Sequence, residues 1–346
     1  MTPTTASSRQ PAKKADEPGA PGTARRLIGS IGPQNLSLLV ALVVVVAIFG
    51  YLRPDYLGWA NVQAIGQAVT VIGLLAVVQT VVIICGALDI SVGSAAGVAS
   101  VVSAMAFTSA GGNPYAGIAA ALGMGAVLGI VNGVIIVYGR VNPVIATLAT
   151  LAAYKGLAQL ISGGRAQGYV LGDDLFVFIS RGKIAGIPTM VWIMLVVALA
   201  VHVLLKYTDI GRNIYAIGGN DTAARLAGID INKYLIAVYG LAGVVAAVAG
   251  IILTAFTGSG QPTSGSEGLE LKAITAAALG GCALKGGKGG VGGTLLAVVL
   301  LGALGNGLDV VGVNTFWQNV AQGALLVIAV VIQQRRSGER AVGLPT

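Results

Sequence analysis

Long apolar runs alternate with short polar segments along almost the whole chain after residue 32. Most runs approach about 20 residues, the length that an α-helix needs to cross the hydrocarbon core of a bilayer. The predicted helices lie at 36–51, at 62–85, after Ser94 to about Thr108, at 115–138, directly after Asn142–Pro143, and at 190–205, 234–256, 269–283, 291–308 and 316–332. The pattern therefore predicts an all-α membrane protein of ten transmembrane helices.

Basic residues in the polar segments predict how the spans are oriented. They cluster in the segment 206–233 and after the last span, as Lys206, Arg212, Arg225, Lys233, Arg335, Arg336 and Arg340. Basic loops remain on the cytoplasmic side, so this segment and both chain ends are predicted to be cytoplasmic. Residues 1–32, rich in Ala, Pro, Thr and Ser, predict a disordered tail, residues 33–334 the membrane domain, and residues 335–346 a C-terminal tail.

An internal repeat predicts two related halves. The spacing of glycine and asparagine residues from Gly111 to Asn142 recurs from Gly286 to Asn314, so that the fourth and ninth spans correspond. Spans five positions apart run antiparallel, and inverted halves of this kind are typical of transporters. We predict two inverted five-helix halves, about 36–205 and 234–332, joined by the loop 206–233. Chance similarity between two glycine-rich apolar segments is the alternative.

Composition supports a membrane protein and excludes other classes. With 55% hydrophobic and 10% charged residues, and a mean hydropathy of +0.85, the chain is not a soluble domain. The formal charge of +8 is scattered over loops and tails. That distribution fits an anionic lipid leaflet and predicts no nucleic-acid partner.

The residues show no pattern typical of catalysis or metal binding. Cys85 and Cys282 stand alone, and His202, the only histidine, lies on an apolar segment where a structural role is expected. The glycines at 287–292 fit GxGxxG, but without a βαβ pattern a tight turn with close helix packing explains them better. No Walker A motif occurs. We predict no catalytic residue, metal or cofactor in this chain, and ATP hydrolysis in a separate chain.

The cytoplasmic segment 206–233 contains a candidate docking element. Asn220 or Asp221 is a suitable N-cap for a short helix, and Gly228 is a suitable residue to end it. A capped helix at the cytoplasmic face suggests a contact surface for a partner. A surface loop that happens to be helical is the alternative.

Several motifs resemble a known family of importers. Ala223-Ala224 followed by Gly228 looks like the alanine-alanine-three-residues-glycine loop of ATP-binding-cassette (ABC) permeases, with Thr222 where glutamate is usual. The stretches GALDISVGS, TDIGRNIYAIGGNDTAARLAGI, SGQPTSGSEGLELKAITAAALGG and GGKGGVGGTLL are similar to ribose-type monosaccharide permeases. The similarity covers roughly Asn61 to Ile332. It implies a permease of the cell membrane that translocates a monosaccharide, with ribose-type sugars as the leading solutes and xylose, other pentoses or galactose close behind.

The resemblance also implies partners and coupling residues. Similar proteins work as dimers with ABC ATPase subunits and receive their sugar from an extracytoplasmic binding protein. The short loop helix then contacts the ATPase through Asn220, Asp221, Ala223, Ala224, Arg225 and Gly228.

Polar residues within the apolar runs are candidates for the solute path or its gate. Asp89 lies between two apolar runs, where a charge is costly unless it faces protein or an aqueous path; a helix-capping role in an interfacial turn is the alternative. Glu270 opens the eighth span, where the helix dipole alone explains an acid, and direct solute contact is the other reading. The full set of candidates is Gln67, Asp89, Ser91, Asn142, Gln261 and Glu270.

Two alternative functions stay open. The same architecture serves nucleosides, autoinducer sugars or branched-chain amino acids, although a zwitterion would need charged groups at its site. An ion-coupled secondary transporter needs no ATPase and usually places acids or histidine at the membrane midplane.

Overall fold

The computed structural model describes residues 33–263, 266, 268–314, 316–320, 323–324, 327 and 331. The predicted N- and C-terminal tails, and about half of the predicted tenth span at 316–332, lie outside these residues. The helices are α1 (Pro33–Leu52), α2 (Trp59–Ile84), α3 (Val92–Ser109), α4 (Pro114–Tyr138), α5 (Pro143–Ser162), α6 (Asp174–Arg181), α7 (Thr189–Tyr207), α8 (Asp209–Gly219), α9 (Asp221–Leu226), α10 (Ile231–Thr257), α11 (Leu269–Leu279) and α12 (Val291–Val310). A 3-10 turn (Pro54–Leu57) follows α1, and an antiparallel hairpin of β1 (Lys183–Ile184) and β2 (Ile187–Pro188) precedes α7.

Eight helices in the described part of the chain are long and apolar enough to cross a membrane: α1 to α5, α7, α10 and α12. They coincide with predicted spans one to seven and nine to within a few residues. The chain is therefore a multi-pass membrane protein. Of the predicted tenth span only residues 316–320 and isolated later positions are described as helical, so the count of ten is not confirmed.

The prediction of a membrane-length helix at 269–283 is wrong. Helix α11 has 11 residues, roughly 17 Å, which is about half of the ~30 Å hydrocarbon core. The last helical residue is Leu279, and Gly280 is the C-cap. The next residue, Gly281, has a φ of +100°, a conformation that favours glycine. The sequence stays apolar after these glycines, so the hydrophobic pattern predicted a helix longer than the one observed.

A non-helical segment adjoins this short helix. The described residues between α10 and α11 form no helix and pack along α3. A Cβ added at Gly260 would lie 2.8 Å from the carbonyl oxygen of Ser100, and one at Gly97 would lie 2.9 Å from that of Pro262. Irregular backbone at membrane depth is tolerated only where it is buried in protein or lines a cavity. We call this segment together with α11 the broken crossing.

Small residues allow the long helices to approach closely. Helix α10 packs against α2, α3 and α4. Along α4, Gly125, Gly129 and Gly133 follow each other at every fourth position and face the backbone of α10, and a Cβ added at Gly133 would lie 2.7 Å from Cα of Ile236. Close backbone packing of this kind is the main source of helix association in lipid. The outward faces of α1, α4, α5 and α7 expose apolar side chains, as lipid contact requires.

Hydroxyl groups connect helices inside the bundle. The side chains of Thr80 on α2 and Thr294 on α12 are 2.7 Å apart, and those of Ser100 on α3 and Thr254 on α10 are 2.8 Å apart. These four groups are fully buried. They serve helix packing, the role that apolar surroundings favour for most polar residues of a membrane bundle.

The two ends of the bundle carry different structures. At one end, which we call the α9 end, Gly86, Pro143, Asn220 and Lys285 line a single cavity of about 700 Å³. At the opposite end lie α6, the hairpin and the start of the broken crossing. The segment 163–188 contains an amphipathic helix and a hairpin. Gln63 of α2 holds the hairpin by donating to the carbonyl oxygen of Gly186 at 2.6 Å.

Candidate functional site

Asp89 begins a chain of hydrogen bonds that reaches across the bundle. Its side chain is buried, with 2% of the residue exposed, and its Oδ1 accepts from the backbone N–H and the hydroxyl of Ser91 at 2.8 and 2.7 Å. Asn132 of α4 donates to the Ser91 hydroxyl at 2.8 Å, and the Tyr154 hydroxyl of α5 lies 3.1 Å from Asn132 Oδ1. The connection between α2 and α3 is therefore tied to two further helices. We call these four residues the Asp89 network.

Two side chains, one on α10 and one on α2 itself, hold the backbone of the same connection. Tyr239 of α10 donates its hydroxyl to the carbonyl oxygen of Leu88 at 2.8 Å. The side-chain amide of Gln79 on α2, oriented to satisfy both of its partners, pairs with the backbone N–H and carbonyl of Asp89 at 3.2 Å. The carboxylate also caps the turn before α3 by accepting from Ser91 N–H, so this position is compatible both with a helix-capping role and with a role in the solute path.

A second polar site lies between α3, α5 and the broken crossing. Lys155 of α5 and Glu270 of α11 line one cavity of about 90 Å³, together with apolar contacts such as Leu151 and Pro262. The Glu270 carboxylate sits in the first turn of α11 and packs against Gly93, in the first turn of α3, where an added Cβ would collide with it. Two helix N-termini thus stabilise one negative charge. This position is compatible with both readings of Glu270.

The remaining path candidates lie in separate places. Gln261 is half-buried in the broken crossing, where its N–H donates to Ser100 Oγ at 3.0 Å. Asn142 is an exposed N-cap of α5 that accepts from Val144 N–H at 2.9 Å. Gln67 lies in α2 roughly 25 Å before the end of that helix. Of the six predicted residues, the structure therefore brings only Asp89 and Ser91 into direct contact.

The predicted short loop helix is present with both of its caps. Asn220 Oδ1 accepts from Ala223 N–H at 2.9 Å, so Asn220 and not Asp221 is the N-cap of α9. At the other end Gly228 has a φ of +83°, and the N–H groups of Gly228 and the following residue bond to the carbonyls of Arg225 and Ala224 at 3.0 and 3.1 Å. This is a Schellman motif. The caps hold α9 as a defined helix.

The exposed face of α9 differs from the one we expected. Ala224, predicted to contact a partner, is 4% exposed and packs against its own chain. Asp221, Ala223 and Arg225 are exposed, and so is Leu226, at 86%. An apolar side chain this exposed at the end of a capped helix is a candidate contact for another protein.

A salt bridge fixes the segment that follows α9. Asp230 Oδ1 accepts from Lys233 N–H at 3.2 Å, and its Oδ2 lies 3.1 Å from Lys233 Nζ. These hydrogen bonds lower the pKa of the Asp230 carboxyl. Asp230 is thus a charged N-cap that anchors the start of α10 directly after α9.

Four glycines bring the backbone at the end of α8 into contact with the end of α2 and with the turn before α12. Gly287 N–H donates to the carbonyl oxygen of Ile84, the last residue of α2, at 2.8 Å. A Cβ added at Gly286 would lie 2.7 Å from the carbonyl oxygen of Gly218 and 2.8 Å from Cα of Gly86. We call Gly86, Gly218, Gly286 and Gly287 the glycine junction. It joins the end of α2, the end of α8 and the turn before α12. Gly218 lies two residues before Asn220, the N-cap of α9.

Comparison with known proteins identifies the family. The family described as branched-chain amino acid transport system / permease component matches residues 62–330. The chain belongs to this family. The permease is 40% identical to the ribose import permease protein RbsC of Escherichia coli K12 over 86% of its own length and 93% of that protein. It is 38% identical to RbsC of Bacillus subtilis, over 88% and 94%, and 33% identical to the L-arabinose ABC transporter permease protein AraH of Azospirillum brasilense, over 96% and 97%. No solved structure matches the permease.

These relatives confirm the resemblance to monosaccharide permeases. Sequence reasoning did not identify several residues of the site. Gln79 was visible as an isolated amide in a long apolar run, and Asn132 as a member of the internal repeat. Lys155 directly follows Tyr154 in the sequence of α5, and no motif there marks it as a site residue. Leu226 carried no local signal, because only its exposure in the fold distinguishes it from core leucines.

Proposed function

We propose that the permease is the membrane-spanning subunit of an ABC importer that translocates a monosaccharide, with a ribose-type pentose as the leading solute. The observation that carries this proposal is 36–40% identity to ribose import permeases over most of the chain. The fold supports it with eight candidate spans, a broken crossing and a capped helix at one end. No catalytic residue or cofactor is expected in this chain.

Three partners follow from this function. ABC ATPase subunits would bind the α9 end at the cytoplasmic face, where both termini would also lie. An extracytoplasmic sugar-binding protein would bind the opposite end, and a second copy of the permease would complete the path. The exposed Leu226 supports the ATPase contact. The broken crossing supports an arrangement of two inverted halves, because discontinuous spans at repeat interfaces are typical of such transporters.

The glycine junction suggests how nucleotide state reaches the solute. A shift of α9 moves Gly218, which meets the end of α2 and the turn before α12 through backbone atoms. Backbone contacts have no side-chain rotation to absorb the shift, so the segment that carries Asp89 moves with α9. That segment ends at α3, whose first turn packs against Glu270. ATP binding and hydrolysis in the partner would thereby change the populations of outward- and inward-open states.

A branched-chain amino acid is the second candidate solute. The family description names it, and the opposite charges of Lys155 and Glu270 suit a zwitterion. Vesicles that contain the permease with its ATPase and binding protein should accumulate a labelled pentose with ATP, and dissipating the ion gradients should not stop uptake. Accumulation of leucine and no pentose would replace the sugar by the amino acid. Uptake that follows an ion gradient without ATP would overturn the ABC mechanism.

Removing the charge of Asp89 should slow transport. In Asp89→Asn the side-chain oxygen still accepts from Ser91, so the subunit should assemble normally, yet ATP-dependent pentose uptake should fall severalfold. Asp309→Asn is the control, because Asp309 accepts from Gln318 at the end of α12 and lies outside the Asp89 network. Wild-type uptake by Asp89→Asn at normal expression would show that Asp89 only holds the turn between α2 and α3.

A further inference from the structure

A second cavity at the α9 end, of about 760 Å³, lies between the starts of α1 and α12, the end of α7 and helix α8. It is lined by Lys206 in the last turn of α7, by His202 one turn earlier and by Arg212 of α8. Among the described residues that line it, none is acidic. We call it the basic cavity. It differs in this respect from the other cavity at this end, which Asp221 lines.

The chain compensates the positive charge of the basic cavity in part. Arg212 forms an ion pair with Asp209, in which both side chains are largely exposed. Such a pair contributes little stability and is screened by salt, and a guanidinium has five N–H donors. The Lys206 ammonium lies 5.4 Å from the centre of the Tyr207 ring, a contact that leaves its charge in place. Lys206, Arg212 and Asp209 together therefore leave one net positive charge.

The start of α12 adds backbone donors to this cavity. Gly290 is the N-cap of this 20-residue helix and supplies no side-chain cap to its first turn. A Cβ added at Gly290 or at Gly292 would meet no atom within 4 Å, so both positions are open to the cavity that they line. The Tyr215 hydroxyl of α8 donates to the carbonyl oxygen of Gly289 at 2.8 Å and holds the preceding turn in place. Free N–H groups and the helix dipole both favour an anion here.

The basic cavity lies at the edge of the hydrocarbon core. Lys206 is the second-to-last residue of α7, and Val291 is the first residue of α12. These helices of 19 and 20 residues are roughly 30 Å long, which is about the thickness of the core. Their ends therefore lie at the level of the lipid headgroups.

Apolar surface continues from the cavity toward the centre of the membrane. Asn35 of α1 lines the cavity, and Leu36 and Val40 next to it are exposed. On α7, Val203 and Leu199 are exposed in the same way, beside the lining residues of that helix. Each pair is spaced four residues apart and thus lies on one helix face. A ligand with acyl chains would cover these faces, whereas a soluble phosphate would leave them uncovered.

We propose that the basic cavity binds the phosphodiester headgroup of an anionic phospholipid, whose acyl chains lie along α1 and α7. Lys206 and Arg212 donate to the phosphate oxygens, and the first-turn N–H groups of α12 complete the site. The single negative charge of this headgroup matches the net charge of the cavity. A choline headgroup would bring its own cation close to Lys206. Basic pockets between membrane helices are known to bind anionic headgroups.

Native mass spectrometry of the full-length permease in neutral detergent tests this site. The protein is titrated with phosphatidylglycerol, with phosphatidylcholine of the same acyl chains, and with soluble glycerol phosphate. The wild type should bind one phosphatidylglycerol with a Kd roughly tenfold or more below that for phosphatidylcholine. Lys206→Gln and Arg212→Gln should each raise the Kd for phosphatidylglycerol by roughly tenfold, the effect of losing a hydrogen bond to a charged group.

A third variant supplies the negative charge from the chain itself. In Gly292→Asp a carboxylate enters the open space at the first turn of α12, where the helix dipole stabilises it. This variant should therefore fold normally, keep its thermal unfolding midpoint without lipid, and lose the preference for phosphatidylglycerol. Lys288→Gln is the control, because Lys288 is an exposed cation at the same end that lines the other cavity. It should keep the wild-type preference.

Each contrary outcome identifies a different occupant. Equal binding of the two lipids, or an unchanged preference in the three variants, would overturn the proposal. Glycerol phosphate that binds as tightly as the lipid would assign the cavity to a soluble phosphate. An equal loss in Lys288→Gln would show diffuse attraction in place of a site, and displacement of the lipid by added ATPase would assign the cavity to that subunit. Lipid binding is measured without solute, so the proposed sugar import stands or falls separately.

Discussion

Replacing Leu226 by aspartate should weaken binding of the ATPase subunit roughly thirtyfold, because a lost interface anchor costs about 2 kcal/mol or more. Leu226 is 86% exposed at the end of α9. The caps at Asn220 and Gly228 stabilise the helix, so the aspartate changes only the exposed surface that would contact the ATPase. The membrane spans do not depend on this side chain. The variant should therefore insert and dimerise normally.

Co-purification of the ATPase, and ATP hydrolysis stimulated by the binding protein, measure this loss. Leu57→Asp is the matched control, since Leu57 is 59% exposed at the opposite end of the bundle and should leave ATPase recovery unchanged. If Leu226→Asp retains wild-type recovery and stimulation, α9 is not the coupling element. The docking surface would then be sought at the turn that carries Lys285 and Lys288.

Substitutions at the buried residue of α9 and at the glycine that follows the helix should act by disturbing how α9 packs against the permease. Ala224→Glu forces a charge into a position that is 4% exposed. Gly228→Val imposes a β-branched residue on a φ of +83°, a conformation that such residues rarely adopt. Both should displace the helix and reduce ATPase binding together with the stability of the loop, whereas Leu226→Asp should affect binding alone.

Adding one methyl group at Gly218 should uncouple ATP hydrolysis from transport. In Gly218→Ala the new Cβ would overlap the carbonyl oxygen of Ile84 and lie 2.6 Å from Gly287 N. Overpacking of this kind costs about 1–3 kcal/mol and occasionally more. Both neighbours are backbone atoms, so α8 must separate from α2 and from the turn before α12. We expect a thermal unfolding midpoint several degrees lower and little pentose uptake.

The adjacent glycine provides a control. A Cβ added at Gly219 meets no atom within 4 Å, so Gly219→Ala should keep wild-type stability and uptake. The ATPase should still bind Gly218→Ala, because the exposed face of α9 is unchanged. Wild-type transport by Gly218→Ala would contradict transmission through the glycine junction. Loss of transport in both variants would show that any change near the start of α9 is harmful.

The sequence by itself determined the features that depend on neighbouring residues. Apolar length located eight spans to within a few residues, because a membrane helix satisfies its backbone internally and requires little else. The capping residues Asn220 and Gly228 located α9, since a cap bonds within its own turn. The family could also be inferred from local motifs, and the relatives confirm it.

The tertiary structure decided whatever depends on residues far apart in the chain. The end of α11 before Gly280 could not be predicted from the sequence, because the apolar pattern continues past this glycine. Ala224 is buried and Leu226 is exposed, which local sequence could not show, since burial depends on what packs against each helix face. Lys155 and Glu270 share a cavity only because the broken crossing follows α3. Local patterns encode backbone hydrogen bonding, whereas a cavity in a membrane bundle is the space that packed helices leave between them.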